Sequence, residues 1–257
     1  MERAATLARI GNQILGFIAS VMIVSMLAYG GYSLWDVYAT YSGAFVSSDL
    51  LKLKPGMGGV SNAPTFAELR AINKDVKAWL TIDDTHIDYP VLQGRDDMEY
   101  VNKDVYGEFS LSGAIFVSAY NKPDFSDPYN LVYGHHMDNG GMFGDVMEFI
   151  AEDYFDKHRT GKLFLPDRTY DIELYAIVEC DAYQRSIYDI EKNNSDMGAF
   201  QDYVKEAATH YRDIGVTAED RIISLSTCVD AATNGRAVVL GRIVTTEQTG
   251  QEARENE

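Results

Sequence analysis

From Ile14 to Leu34 the chain reads ILGFIASVMIVSMLAYGGYSL, a run with no charge. At about 1.5 Å per residue, a helix of that length crosses the roughly 30 Å hydrocarbon layer of a bilayer. A cleaved secretory leader is the competing reading, with Ala28-Tyr-Gly30 as a small-residue cleavage site. Leader cores, however, run to only about 7–15 residues. Arg3 and Arg9 precede the run and Asp36 follows it, so the charge rule for membrane helices leaves the amino terminus in the cytoplasm and exports the rest. The expected organisation is a cytoplasmic N-terminus over 1–13, a transmembrane helix over 14–35, a juxtamembrane stem and linker over 36–64, a folded domain over 65–246, and a disordered acidic tail over 247–257.

The exported part is acidic. A formal charge of −17 over 257 residues, with no basic stripe, excludes nucleic acid as a partner and disfavours anionic lipid surfaces. Two cysteines, Cys180 and Cys228, leave at most one disulfide, so no disulfide framework holds the domain. Thr65-Phe-Ala-Glu68 has capping-box spacing and predicts a short helix to about Ile72. Beyond it the pattern is mainly β. Trp79–Asp83, Asp88–Leu92, Ala114–Ser118, Asn130–Gly134, Lys162–Pro166, Tyr170–Cys180, Ile222–Cys228 and Arg236–Thr245 are each short, apolar and bounded by turn formers. Eight strands without βα alternation predict an antiparallel-rich closed barrel or a sandwich. Two helices interrupt them, over Met142–His158 and over about Asp196–Arg212, both with apolar residues at three-and-four spacing and both expected to cover one side of the sheet.

The chemistry concentrates near the C-terminal end. Arg221-Ile-Ile-Ser-Leu-Ser-Thr-Cys228 is a β-branched run ending at a thiol, and Gly235-Arg-Ala-Val-Val-Leu-Gly-Arg242 is a second run opening on an arginine. Strand, loop and strand put Cys228 and Arg236 across the loop mouth from each other. A thiolate is the reactive form of cysteine, and a fixed cation beside it favours that form. The bland alternative is a small buried thiol at a strand end. A nucleophile needs a proton-transfer partner. His86 and His158 sit in a turn and at a helix end, and His210 falls on the outer side of the second predicted helix. His135 and His136 instead close the strand Asn130–Gly134, where a rigid element gives way to a loop. Adjacent residues on a strand point opposite ways, so one of the two faces the mouth with Cys228. The same alternation, and the lack of any zinc-type or EF-hand spacing, argues against a metal there.

These residues resemble a sortase of class B, the membrane-anchored cysteine transpeptidases of Gram-positive bacteria. Leu225-Ser-Thr-Cys228 matches the segment around the nucleophile, Tyr133-Gly-His135-His-Met137 the segment around the histidine, and Arg236 the arginine that opens the last strand. Asp88-Tyr-Pro-Val-Leu-Gln-Gly94, Tyr100-Val-Asn-Lys-Asp104, Ser112-Gly-Ala-Ile-Phe116 and the helix inserted before the strand ending at Cys228 are also similar. The resemblance implies the eight-stranded sortase-type β-barrel with inserted helices, and it selects His135 over His136. It implies that Cys228 forms a thioester with the cleaved sorting signal of an exported protein, that His135 moves the protons, and that Arg236 steadies the oxyanion or the substrate backbone. It offers Ser226, Thr227, Asn102 and Tyr133 as substrate-binding residues.

The implied partners are proteins with an Asn-Pro-x-Thr-x-like or Leu-Pro-x-Thr-Gly-like signal and an amine of peptidoglycan, of its lipid-linked precursor or of a pilin. No cofactor is implied. After Cys228 the family often has an acidic or polar residue, whereas Val229 and then Asp230 follow here, a departure that bears on substrate preference. Cys180 leads into the loop that walls the groove in the family, and a disulfide from it to Cys228 would silence the thiol. Two other functions use the same residues: an exported cysteine hydrolase that releases its acyl group to water, and a catalytically silent, membrane-tethered peptide-binding protein.

Overall fold

The structure, a computed structural model, describes residues 2–56, 63–228 and 234–245. It divides into two compact units, Met1–Ser42 and Gly43–Glu257. The first is a single helix, α1 (Glu2–Gly43), which contains the uncharged run and is long and apolar enough over Ala5–Tyr41 to cross a membrane. The expected tail at 247–257 and the Gly-rich Met57-Gly-Gly59 lie outside the described residues.

In the second unit the strands are β1 (Val76–Ile82), β2 (Asp88–Leu92), β3 (Ile115–Val117), β4 (Tyr129–Tyr133), β5 (Thr160–Phe164), β6 (Thr169–Asp181), β7 (Ala208–Tyr211), β8 (Arg221–Cys228) and β9 (Gly235–Thr245). They run in the order β5-β1-β2-β3-β4-β8-β9-β6, and β6 pairs back onto β5, which closes an eight-stranded barrel. Closure removes the unpaired edges that an open sheet would leave. Two neighbouring pairs, β2–β3 and β4–β8, are parallel. Alternation along the strands sends Leu80, Val91, Ile115, Val132, Ile177, Ile223, Leu225 and Val239 into the barrel, all buried.

The outer face of β4, β8, β9 and β6 is covered by the excursion between β6 and β8. That excursion contains α5 (Arg185–Tyr188), α6 (Ile190–Ser195) and α7 (Met197–Ala207). Ile187, Ile190, Phe200 and Val204 pack there on Tyr129, Leu131, Tyr175 and Val238. Each such buried side chain contributes about 1.5–3 kcal/mol of transfer free energy. On the far side α3 (Ala63–Ile72) sets Phe66 and Leu69 against Trp79, Leu92 and Tyr100. A further turn, α2 (Ser48–Leu51), is capped by Ser47, and it buries Leu50 while Ala44 enters the core. The Ala44 carbonyl accepts a 2.9 Å bond from the Tyr89 hydroxyl.

Three local expectations change. The expected helix over Met142–His158 is a 3₁₀ helix (Gly144–Ile150), an extended Ala151 and then α4 (Glu152–Lys157). Three residues per turn stack Phe143, Val146 and Phe149 on one buried line, which an α-helix of 3.6 would spread. The second helix stops at Ala207, because Ala208 turns extended and Ala208–Tyr211 joins β6 as a ninth strand. His210 is therefore on a strand, with Nε2 at 2.7 Å from the Ile150 carbonyl, and not on a helix. Thr65 is not an N-cap: α3 already runs from Ala63, and Pro64 is tolerated in its first turn because the N–H it lacks would be unpaired there.

Candidate active site

Parallel pairing of β4 and β8 delivers the C-terminal ends of both strands to the same edge of the barrel. The register runs Tyr129↔Ile222 to Tyr133↔Ser226, and the Gly134 N–H continues it onto the Ser226 carbonyl at 3.2 Å. Antiparallel β9 begins where β8 ends, so Cys228 stands opposite Arg236. Three segments distant in sequence thus converge: Tyr133-Gly-His135, Ser226-Thr-Cys228 and Gly235-Arg236. Cys228 is described here by its backbone, and Val229 and Asp230 lie outside the described residues.

A cavity of about 420 Å³ opens at this edge. It is lined by Tyr133, Gly134 and His135 from β4 and the turn after it, by Ser226, Thr227 and Arg236 from β8 and β9, by Ala182 and Tyr188 from the helical excursion, and by Asp97, Met98, Val101 and Phe116. The rings of Tyr133 and Tyr188 are nearly parallel, 9° apart with centroids at 6.5 Å. The Tyr188 hydroxyl shares a 2.9 Å hydrogen bond with Ser226 Oγ. Burial pushes both phenols far above the ordinary tyrosine range, so both stay protonated. Arg236 is the cation of the lining. Its Nη1 donates to the Gly235 carbonyl at 2.9 Å, and among the described residues no carboxylate pairs with it. Asp97 is the carboxylate of the lining, and it accepts from Ser118 Oγ at 2.9 Å and from the Ala119 N–H at 2.6 Å.

His135 is half-buried, and its Nε2 lies 2.7 Å from the Val101 carbonyl. Its own carbonyl accepts the Phe143 N–H at 2.9 Å, which ties the turn after β4 to the 3₁₀ helix. Its neighbour His136 turns to Asp138, Nε2 to Oδ1 at 3.2 Å, and does not line the cavity. Thr227 Oγ1 is buried and has no hydrogen-bond partner among the described residues. Asn102 is exposed and stands outside the lining, with its carbonyl taken by the Ser110 N–H at 3.1 Å.

Cys180 also faces this edge. In register it sits opposite Arg236 on the side of β9 away from Cys228. Burial, only partly offset by Tyr188 and Arg236, raises its thiol to about 11, so it stays protonated and weakly nucleophilic. With β9 between them, the two cysteines are two strand spacings apart, about 9–10 Å between Cα atoms. A disulfide needs less than about 7 Å, so this fold does not permit the silencing bridge.

Tyr188, Asp97 and the Val101 carbonyl were not singled out by the sequence. Tyr188 lies in a short helix without a periodic signal, Asp97 is one of many acidic residues, and a backbone carbonyl has no residue type to mark it.

Fold and cleft together define a class, closed eight-stranded β-barrels with a cleft at the edge where parallel β4 and β8 end. The Sortase domain family matches residues 80–244. Sortase B of Listeria monocytogenes serovar 1/2a is 34% identical over 183 residues, covering 69% of this chain and 73% of that protein. A class B sortase of Streptococcus pyogenes involved in pilus biogenesis is 40% identical with a TM-score of 0.63, over 69% of this chain and 97% of that one. Sortase B of Staphylococcus aureus in complex with substrate is 30% identical with a TM-score of 0.66, over 72% of this chain and 86% of that one.

The chain belongs to the sortase family, in its class B. It is a cysteine transpeptidase for cell-wall sorting, an enzyme of the cell envelope that joins proteins bearing a sorting signal to amines.

Proposed function

We propose that Cys228, His135 and Arg236 carry the reaction. The sulfur of Cys228 adds to the carbonyl carbon of a peptide bond in the sorting signal, and the carbon–nitrogen bond then breaks to leave a thioester. His135 gives its proton to the departing nitrogen and later takes one from the incoming amine. The fixed charge of Arg236 is matched to the oxyanion that forms in between. The observation that carries this reading is the register, in which Cys228 pairs with Arg236 while Tyr133–His135 runs beside Ser226 on the adjacent strand.

Ser226, Thr227 and Tyr133 line the cavity and are assigned to substrate binding, with Asn102 in the exposed segment beside it. The signal is of the Asn-Pro-x-Thr-x or Leu-Pro-x-Thr-Gly type, and the acceptor is an amine of peptidoglycan, its lipid-linked precursor or a pilin. The Staphylococcus aureus relative solved in complex with substrate supports a substrate held in this cleft, and the Streptococcus pyogenes relative involved in pilus biogenesis keeps the pilin acceptor in view. Residues 14–35 anchor the protein, with 1–13 in the cytoplasm and, outside, 36–64 as a stem whose Ala44 and Leu50 pack onto the 65–246 catalytic domain.

The test uses the full-length chain in detergent with a panel of both peptide types, with and without an amine acceptor, read by mass spectrometry beside Cys228→Ala. A cleaved peptide joined to the amine, and lost in the variant, is expected. Cleavage to the free acid that no amine changes would mean a hydrolase, and silence across the panel a peptide-binding protein.

A further inference from the structure

His135 is held through one nitrogen, and the structure indicates which. Its Nε2 is 2.7 Å from the Val101 carbonyl, an oxygen that can only accept. A neutral imidazole carries one N–H and one lone pair, so this contact puts the proton on Nε2 and the lone pair on Nδ1.

The carbonyl itself is fixed by its neighbours. The Tyr100 carbonyl accepts the Ala114 N–H at 3.1 Å and the Asn102 carbonyl accepts the Ser110 N–H at 3.1 Å, which leaves the carbonyl between them to the histidine. The Tyr100 ring is buried, and its hydroxyl donates to Asp75 at 2.9 Å. Lys103 and Phe109 form an isolated bridge that closes the loop behind them. Gly113 fits beneath the carbonyl because it has no side chain: a Cβ built on it would lie 2.4 Å from Val101 O, and its φ of +60° favours glycine as well.

We infer that the Val101 carbonyl and Gly113 form a tautomer clamp, in which Gly113 lets the carbonyl hold Nε2–H and so makes Nδ1 the nitrogen that exchanges protons with the substrate. When the signal is cleaved, Nδ1–H passes to the departing amine nitrogen and the ring is left neutral. When the acceptor attacks the thioester, the Nδ1 lone pair takes the proton from the incoming nitrogen and the ring becomes imidazolium again. Through both steps Nε2–H stays on Val101. Gly113 is a positioning residue in this account, since it acts only through the carbonyl.

The inference rests on His135 as the proton carrier, and one set of measurements separates the two. Full-length protein in detergent micelles, labelled with ¹⁵N at histidine, is read at a pH above the titration of the ring, with the His135 signals assigned by their loss in His135→Gln. A pyrrole-type Nε2 and a pyridine-type Nδ1 are expected. The reverse pattern in a protein whose His135→Gln variant is inactive would overturn the clamp and leave the functional reading intact. Retained acyl transfer in His135→Gln would overturn the functional reading itself.

Gly113→Ala is expected to populate the Nδ1–H tautomer and to lower kcat about tenfold with KM within about twofold, a share of the ~10²–10⁴ that a positioned acid–base group supplies. Gly107→Ala is the control for backbone strain: its φ is +84°, and nothing lies within 4 Å of the added carbon. It should leave the tautomer as it is in the unmodified enzyme. A folded Gly113→Ala with an unchanged tautomer would overturn the role of Gly113. If that variant does not fold, the tautomer of the unmodified enzyme decides.

Discussion

Strand β4 and the segment Asp97–Val105 both end their work at His135, and they are ordered by different means. In β4 the order is register: Tyr129 to Tyr133 match Ile222 to Ser226 one for one, and a shift of one residue would turn every side chain to the other face. In Asp97–Val105 there is no strand or helix, and order comes from individual bonds. Glu99 reaches Arg95 and Lys103, Asn73 reaches the Tyr100 hydroxyl and the Val105 carbonyl, and single carbonyls find single partners. Register positions a whole set of residues at once and fails as a whole. A bonded loop positions one atom at a time, and each bond can be removed alone.

The comparison can be broken first on the strand side. Arg236→Lys keeps the charge and loses the planar fork, so kcat/KM is expected to fall by about 10²–10³, the usual loss when an oxyanion donor is removed, while Tm holds. Unchanged kinetics would take Arg236 out of the reaction. Gly134→Ala is next. Its added carbon would lie 2.4 Å from Ile115 Cδ1 and 2.7 Å from the Phe143 ring, and overpacking of that kind costs about 1–3 kcal/mol. Urea unfolding measures it, and activity should fall with stability because His135 follows directly.

Tyr188→Phe removes one hydroxyl from the pair with Ser226, with an expected cost of about 1 kcal/mol in the same measurement. The smallest effect lies in the bonded segment. The Arg95 backbone N–H, then the Arg95 guanidinium, hold the Glu99 carboxyl down to about 2 from an ordinary 4.5. The folded state therefore favours the carboxylate, and the stability it adds is present above pH 4.5 and lost as the pH falls toward 2. Glu99→Gln should be slightly less stable than the unmodified enzyme at pH 7 and equal to it near pH 2. A gap that persists at pH 2 would remove the charge from the explanation.

The same contrast accounts for what was legible in the sequence. All eight barrel strands carry their β-branched or apolar runs in the chain, and the parallel β4–β8 pair is where the resemblance to class B placed Tyr133–Met137 and Leu225–Cys228. β7 was not legible, because Ala208–Tyr211 continues the helical spacing of α7 and only pairing with β6 draws it into the sheet. The 3₁₀ turn was hidden because Phe143, Val146 and Phe149, though they would spread on an α-helix, still fall within the width of its apolar stripe. Nothing in the sequence could show the partner of His135, since any residue at position 101 offers the same carbonyl. Asn102 drew notice for its side chain, yet its fixed contact is through the backbone.

The parallel pairing of β4 with β8 has a kinetic consequence. Asn130 Nδ2 bonds the Ile222 carbonyl across 92 residues of chain, and the whole helical excursion lies between. Contacts that distant carry a large loop-closure cost and form late in folding. During synthesis the histidine segment emerges long before its partner strand exists. Strand β8 therefore joins β4 only after the whole excursion between them has been made.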